Sequence, residues 1–337
     1  MNNGQYIILL LYVDDILVMS KMKEDRYWVK EILQQEYEKI AMDEGERLPY
    51  LGMTILKTKE DFKMTMKTYI EDVLQLYGKD IKTCVTPAKP TLFEVTWCQQ
   101  RVDGVVFHSV VAKPLYLFKR GRPDILLPVQ FLCTRVKHPT TEDKRKLEPV
   151  LGYLKLTKGW SRVFDSSSFN QVMSFIDASF ATHEDGKGQS GCFLFLGNML
   201  VHEACRKQRI VTKNSTEAEL VALSDYIDEG TLLEDFIMEL GMLFDEDIVD
   251  TPQVVFQDNK STIEIVEKGG GKPRTKYMKV RRAYVTERLS TGEVSIRYTH
   301  TSRMVADVLT KPLQGEAFHR FAQIVLGRLY AERNRGA

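Results

Sequence analysis

The sequence lacks a strong net charge, paired cysteine motifs and any apolar run long enough to span a membrane. The 47 Lys and Arg residues nearly balance 46 Asp and Glu, so no global basic field points to nucleic acid. The five cysteines form no C-x-x-C pair, and their odd number favours a reducing compartment. The apolar run Tyr6–Tyr12 is too short for a bilayer, and no signal peptide precedes it. These absences predict a cytoplasmic or nuclear protein with no membrane partner.

What is present is the patterning of two α/β domains, which is the natural expectation for 337 residues. The polar stretch Asp165–Asn170 is the best boundary. Before it, the sequence predicts a buried hairpin around Val13-Asp14-Asp15, a helix over about 23–40, a second hairpin over 48–57 and 61–68, and helices near 106–119, 123–137 and 141–157. Beyond it, strands are expected at 171–177, 190–197, 199–205, 253–257 and 293–299, with helices at 216–241, 260–267, 277–289, 303–309 and 315–332. This order predicts a mixed sheet, not an all-parallel one.

Four acids of the second half lie at the ends of predicted elements: Asp177, Glu217, Asp258 and Asp307. Strand ends and helix N-termini tend to form the functional edge of an open α/β sheet, so these carboxylates are expected to converge. Converging oxygen ligands suit a pair of hard divalent cations, and such a pair cleaves phosphodiesters. Alternatively, each Asp is an ordinary cap or turn residue and Glu217 stabilises the first turn of its helix.

Four segments around these acids resemble the ribonuclease H domain of copia-class retrotransposon Pol polyproteins. They are K-Q-R-I-V-T-K-N-S-T-E-A-E-L-V-A-L-S (207–224), Q-D-N-K-S-T-I (257–263), R-T-K-Y-M-K-V-R (274–281) and V-A-D-V-L-T-K-P-L (305–313). The resemblance implies a five-stranded mixed sheet with flanking helices, and it assigns catalysis and metal binding to the four acids. It also implies two Mg²⁺ ions (or Mn²⁺), with Asp177 bridging them, and the RNA strand of an RNA–DNA hybrid as substrate.

A basic stretch, Lys268–Arg282, contains no acid and is expected to contact phosphates beside the acidic site. A solvated helix face is the alternative. The residues expected to bind nucleic acid are Lys272, Arg274, Lys276, Lys279, Arg281 and Arg282. His300, seven residues before Asp307, is a candidate auxiliary for proton transfer or product release, although a partly exposed strand-end histidine is the simpler interpretation.

The first half resembles the end of the palm, the thumb and the connection of a copia-class reverse transcriptase. The segments that carry this resemblance include Y-V-D-D (12–15), L-P-Y-L-G-M-T-I-L (48–56) and L-G-Y-L-K-L-T-K-G (151–159). The resemblance implies a partial palm (1–85), thumb and connection helices (86–165) and a ribonuclease H-like domain (170–332). Asp14 and Asp15 would be a polymerase remnant. A polymerase site needs a further Asp and fingers, so we expect no independent DNA synthesis.

Two other interpretations remain open from the sequence. The chain could be a non-catalytic, nucleic-acid-binding transposon remnant, or a fragment of a full RNA-directed DNA polymerase. The resemblance further implies a place in a virus-like particle or the nucleus, together with other Pol-derived or Gag-derived proteins.

Overall fold

The computed structural model describes residues 6–58, 61–77, 81–96, 100–165, 170–244, 248–269 and 275–329. It opens with a hairpin of β1 (Ile8–Tyr12) and β2 (Asp15–Met19), whose turn places Val13 at a φ of 53°. The expectation that this hairpin is buried is wrong, because Leu11 is 70% exposed and Val13 79%. The two strands form a two-stranded sheet of their own, so neither apolar face is covered by a larger sheet.

The rest of the first half is an antiparallel sheet beside a group of helices. Its elements are α1 (Lys23–Glu36), β3 (Arg47–Tyr50), β4 (Met53–Lys57), β5 (Asp61–Thr65), α2 (Lys67–Tyr77), α3 (Gly104–Arg120), α4 (Leu126–Cys133), α5 (Thr141–Leu156) and β6 (Arg162–Asp165). The predicted second hairpin is a meander of β3, β4 and β5, and β6 adds to it as a fourth strand. α5 begins with a capping box in which Thr140 and Asp143 satisfy each other's backbone N–H groups.

The second half contains the predicted mixed sheet. Its elements are β7 (Gln171–Ser179), β8 (Gln189–Leu196), β9 (Met199–Lys207), α6 (Ser215–Phe244), β10 (Asp250–Gln257), α7 (Lys260–Lys268), α8 (Lys276–Ser290), β11 (Val294–Tyr298) and α9 (Gly315–Val325). The strand order is β11-β10-β7-β8-β9. β7, β8 and β9 are antiparallel neighbours, whereas β10 and β11 run parallel to β7.

Opposite faces of this sheet pack against different partners, as the two-residue period of a strand requires. Ile176 and Cys192 pack with the apolar residues of α6 and α8. Phe193 and Phe195, one register step away, join a core that continues into α4 and α5 of the first half. The helices of the first half therefore cover one face of the mixed sheet.

The C-terminal helix closes the same core. The sequence predicts a helix over 315–332. α9 ends at Val325, and Gly327 follows with a left-handed φ of 68°; residues 330–332 lie outside the described residues. The Val163 N–H of β6 donates to the Leu326 carbonyl at 2.8 Å, which links the end of the chain to the first-half sheet. The predicted linker lies mostly outside the described residues, at 166–169. Among the helices within the described ranges, none has the length and apolar character needed to cross a membrane.

Candidate metal centre

Two neighbouring strands place Asp177 and Asp258 side by side. β10 runs parallel to β7 with Phe256 opposite Phe175, so two residues further along, Asp258 comes level with Asp177. The Phe175 and Phe256 rings stack with centroids 4.7 Å apart on the face that carries both acids. Asp177 is 1% exposed, within β7, while Asp258 directly follows the last residue of β10. The parallel register therefore brings together two carboxylates that are 81 positions apart in sequence.

The third acid of the cluster is Glu219, not Glu217. One carboxylate oxygen each of Asp177, Glu219 and Asp258 lies within 4.8 Å of the other two. Glu217 instead accepts a hydrogen bond from the Lys213 N–H at 2.9 Å, and its own N–H donates to Asn214 Oδ1 at 2.9 Å. Glu217 thus serves the N-terminus of α6, which was the structural alternative for this residue.

A signal for Glu219 was present in the sequence. The apolar stripe of α6 runs through Leu223, Ile227 and Gly230, and one turn before Leu223 it meets Glu219. Glu219 is 4% exposed, and the Gln257 side-chain amide donates to its Oε2 at 3.3 Å. A glutamate on the buried stripe of a helix needs such a partner or a cation. Helical periodicity, applied to the two glutamates of S-T-E-A-E, distinguishes Glu217 at the helix terminus from Glu219 on the buried stripe.

Asp307 lies beside this cluster, on the 3-10 turn Val305–Leu309. The turn packs closely on β8, where a Cβ at Gly191 would come within 2.5 Å of the Leu309 Cβ. Lys311 Nζ lies 2.6 Å from Asp307 Oδ1 and 3.7 Å from Asp177 Oδ2. Thr310 donates its hydroxyl hydrogen to Asp177 Oδ2. Asp307 is therefore connected to the cluster through Asp177 and Lys311.

Burial and mutual repulsion disfavour the charged forms of these acids. Burial raises the pKa of Asp177, although Lys311 opposes this effect. Burial, followed by the charge of Asp177, raises the pKa of Asp307 to about 7 despite its ion pair with Lys311. Burial, with Asp177 and Asp258 adding to it, raises the pKa of Glu219 well above its usual range. Carboxylates that repel one another in a buried site are the hard oxygen donors that Mg²⁺ prefers, so the residues present fit a divalent cation.

The expected auxiliary residue His300 is exposed and lies next to a residue that contacts the cluster. Its Nδ1 is 2.9 Å from Ser302 Oγ and caps the turn Thr301–Arg303. The neighbouring Thr301 hydroxyl donates to Asp258 Oδ2 at 2.7 Å. Thr301 therefore orients Asp258 directly, and a proton-transfer role for His300 stays a prediction.

The basic residues expected to bind nucleic acid separate into distinct environments. Lys276 and Lys279 on α8 are exposed. Arg281 instead points at α6, where it donates to Asp225 Oδ1 at 2.5 Å and to the Val221 carbonyl at 3.1 Å. The Arg281 contacts favour a helix–helix bond over a phosphate contact.

The other predicted residues are placed as follows. Arg282 donates to the Gly269 carbonyl at 3.5 Å. Lys272 and Arg274 lie outside the described residues. Asp14 and Asp15 are exposed at the hairpin tip. Within the described residues, the hairpin forms a sheet of its own, separate from the mixed sheet that carries the acidic cluster.

The sheet order, with three antiparallel strands followed by two parallel ones, and the acids at its edge define a ribonuclease H-like domain. The sequence is 27% identical over 96% of the chain to the Pol polyprotein of transposon TNT 1-94 from Nicotiana tabacum. It is 25% identical over 96% of the chain to that of transposon RE1 from Arabidopsis thaliana. It is 20% identical over 93% to the Ty1-NL2 Gag-Pol polyprotein of Saccharomyces cerevisiae.

The chain is similar to a region of the Pol polyproteins of copia- and Ty1-type retrotransposons, the region that covers the C-terminal part of the reverse transcriptase and ribonuclease H. It spans 24%, 22% and 19% of the lengths of those three relatives. No family model matches the sequence.

Two solved structures are similar to parts of this chain. Ribonuclease H1 of Halobacterium salinarum is 18% identical, with a TM-score of 0.29, over 42% of this chain and 95% of that one. The foamy viral protease-reverse transcriptase in complex with RNA/DNA hybrid is 12% identical, with a TM-score of 0.48, over 87% of this chain and 36% of that one.

Proposed function

We propose that this chain hydrolyses the RNA strand of RNA–DNA hybrids at the cluster of Asp177, Glu219 and Asp258. The observation that carries the proposal is the approach of three carboxylate oxygens to within 4.8 Å at the edge of a ribonuclease H-like sheet. Two of these carboxylates are buried, and gathering several buried acids is costly, since the one ammonium beside them, that of Lys311, cannot balance all of their charge. Such a site is built to hold metal, not merely to cap secondary structure.

Asp177, Glu219 and Asp258 would hold Mg²⁺ or Mn²⁺, and Asp307 would complete the set. The bound ions would activate water and stabilise the leaving oxygen of a phosphodiester. We assign the metal-binding role expected of Glu217 to Glu219, because the Glu217 carboxylate accepts a hydrogen bond from the Lys213 N–H at the N-terminus of α6.

Three neighbouring side chains would keep the ligands in place. Gln257 donates to Glu219, Thr301 to Asp258 and Thr310 to Asp177. Gln257 is itself fixed, since its Oε1 accepts from the Asn259 N–H at 2.9 Å. Such partners orient metal ligands, and losing one typically lowers metal affinity or activity by about 10–100-fold.

The substrate assignment rests on the family and on exposed positive charge. Lys276 and Lys279 of α8 are exposed, as phosphate-contacting residues would be. An RNA–DNA hybrid would be recognised by its shape and by the 2′-hydroxyls of its RNA strand. The whole Pol polyprotein's other activities, its Pol- and Gag-derived partners and its place in a virus-like particle stay predictions for this chain.

The test is hybrid cleavage in Mg²⁺ by the purified chain, with the RNA strand labelled. Wild type should cut the RNA strand of the hybrid and leave single-stranded RNA and the DNA strand intact. Asp258→Asn should abolish cutting, whereas Asp72→Asn, at an exposed acid of α2, should not change it. A folded wild type that binds hybrid without metal-dependent cutting would establish the non-catalytic remnant. Undiminished cutting by Asp258→Asn would remove the cluster from the mechanism.

The hairpin acids give a separate test. Asp14 and Asp15 are exposed, and the described residues place no other element against them as a metal site. Primer extension on an RNA template should therefore be absent for the pure chain. Extension that depends on Asp15 would instead show a polymerase site.

A further inference from the structure

We propose that Lys311 is an internal counter-cation of the acidic cluster, which a divalent ion must displace in order to bind. The inference deepens the proposed function and rests on it. The Lys311 ammonium lies 2.6 Å from Asp307 Oδ1 and 3.7 Å from Asp177 Oδ2, so it bridges two of the carboxylates that would hold metal. A positive charge in that position and a divalent ion compete for the same oxygens.

The backbone builds this position. The Lys311 N–H donates to the Asp307 carbonyl at 2.9 Å, so the chain just after the 3-10 turn folds Lys311 back over Asp307. The preceding Thr310 is fully buried, and its hydroxyl is hydrogen-bonded to Asp177. The turn therefore presents Thr310 and Lys311 together to the same carboxylate.

The environment separates this ion pair from an ordinary surface pair. The side chains of Asp177 and Asp307 are 1% and 8% exposed, whereas Lys311 is 41% exposed. Lys158 and Glu71 also pair, at 2.8 Å, but both of their side chains are 44% exposed. Exposed pairs contribute little because water screens them, while buried acids depend strongly on a nearby cation.

The partial exposure of Lys311 also gives it room to move. Its four-carbon side chain can swing towards solvent while the buried acids stay fixed. Displacement of the ammonium would then be coupled to metal binding, and the apparent metal affinity of wild type would be lower than that of the empty cluster.

Calorimetric titration with Ca²⁺ and Mg²⁺ in the absence of nucleic acid tests the coupling. Lys311→Met should bind the ions about fivefold more tightly or better than wild type, at the lower end of typical coupling between sites. Lys311→Arg, which keeps the charge, should bind about as weakly as wild type. Lys158→Met is the matched control and should not change affinity. Equal or weaker binding by Lys311→Met overturns the proposal.

A measurement on wild type guards against misfolding of the variants. The NMR signal of the Lys311 side chain, assigned by its loss in Lys311→Arg, should shift when Mg²⁺ saturates the cluster, while the Lys158 signal stays in place. An unchanged chemical shift of the Lys311 side chain in saturating Mg²⁺ also overturns the proposal. Metal binding without hybrid cleavage would overturn the proposed function alone and leave this coupling intact.

Discussion

Substituting Glu217 and Glu219 one at a time, in the first turns of α6, tests which of them belongs to the acidic cluster. Glu219→Gln removes a carboxylate from the cluster but keeps an oxygen that can accept from Gln257, so the fold should survive. Since loss of a residue that merely orients a metal ligand costs about 10–100-fold, loss of the ligand should lower the hybrid cleavage rate by about 100-fold or more. The melting temperature of the metal-free protein should rise, because one of three mutually repelling acids becomes neutral.

Glu217→Ala should lower the melting temperature and leave hybrid cleavage intact. It removes the acceptor for the Lys213 N–H and an acid from the first turn of α6. Loss of a helix cap costs about 1 kcal/mol, which lowers the melting temperature by roughly 2–4 °C in a domain of this size. Hybrid cleavage, measured below that temperature, should remain close to that of wild type.

The assay pair is hybrid cleavage in Mg²⁺ and thermal melting with and without the ion. Added Mg²⁺ should stabilise wild type and Glu217→Ala, because an ion that binds only the folded state raises its stability. It should stabilise Glu219→Gln much less. Lost cleavage in Glu217→Ala together with normal cleavage in Glu219→Gln would refute the assignment from the structure.

Three further outcomes are expected. Burial raises the pKa of Asp307 to about 7, so its contribution to the stability of the metal-free fold is fully present below its unfolded pKa of about 4 and is lost as pH rises through 7. Because Mg²⁺ binds the deprotonated carboxylate, Mg²⁺ affinity measured by calorimetry should increase from pH 5.5 to 8. A flat profile would contradict the burial argument. Gly191→Ala should cost about 1–3 kcal/mol in denaturant unfolding and weaken Mg²⁺ binding, because its Cβ would press on the turn that holds Asp307; Gly159→Ala, with no atom within 4 Å, is the control, and equal effects would count against close packing of the turn. Lys279→Ala should weaken hybrid binding and reduce its salt-dependence slope by about one, whereas Arg281→Ala should lower stability by about 1 kcal/mol with the slope unchanged; the reverse pattern would place Arg281 on the hybrid.

Local patterning was sufficient for the element plan of the second half. The five strands and the long helix were predicted within a few residues, since a two-residue or 3.6-residue apolar period is written directly in the sequence. The first half was less readable. β6 joins β5 from about 100 positions away, and no local pattern reports such a pairing.

The sequence by itself determined the sheet, the family resemblance and three of the four acids brought to one edge: Asp177, Asp258 and Asp307. Tertiary structure alone decided that Glu219 faces the cluster and Glu217 the helix terminus, since the rotation of α6 against the sheet separates residues only two positions apart. It also decided that Lys311 lies over buried carboxylates and that Arg281 faces another helix. A sequence shows which residues carry charge, but the group that each charged side chain contacts depends on which elements pack together in the fold.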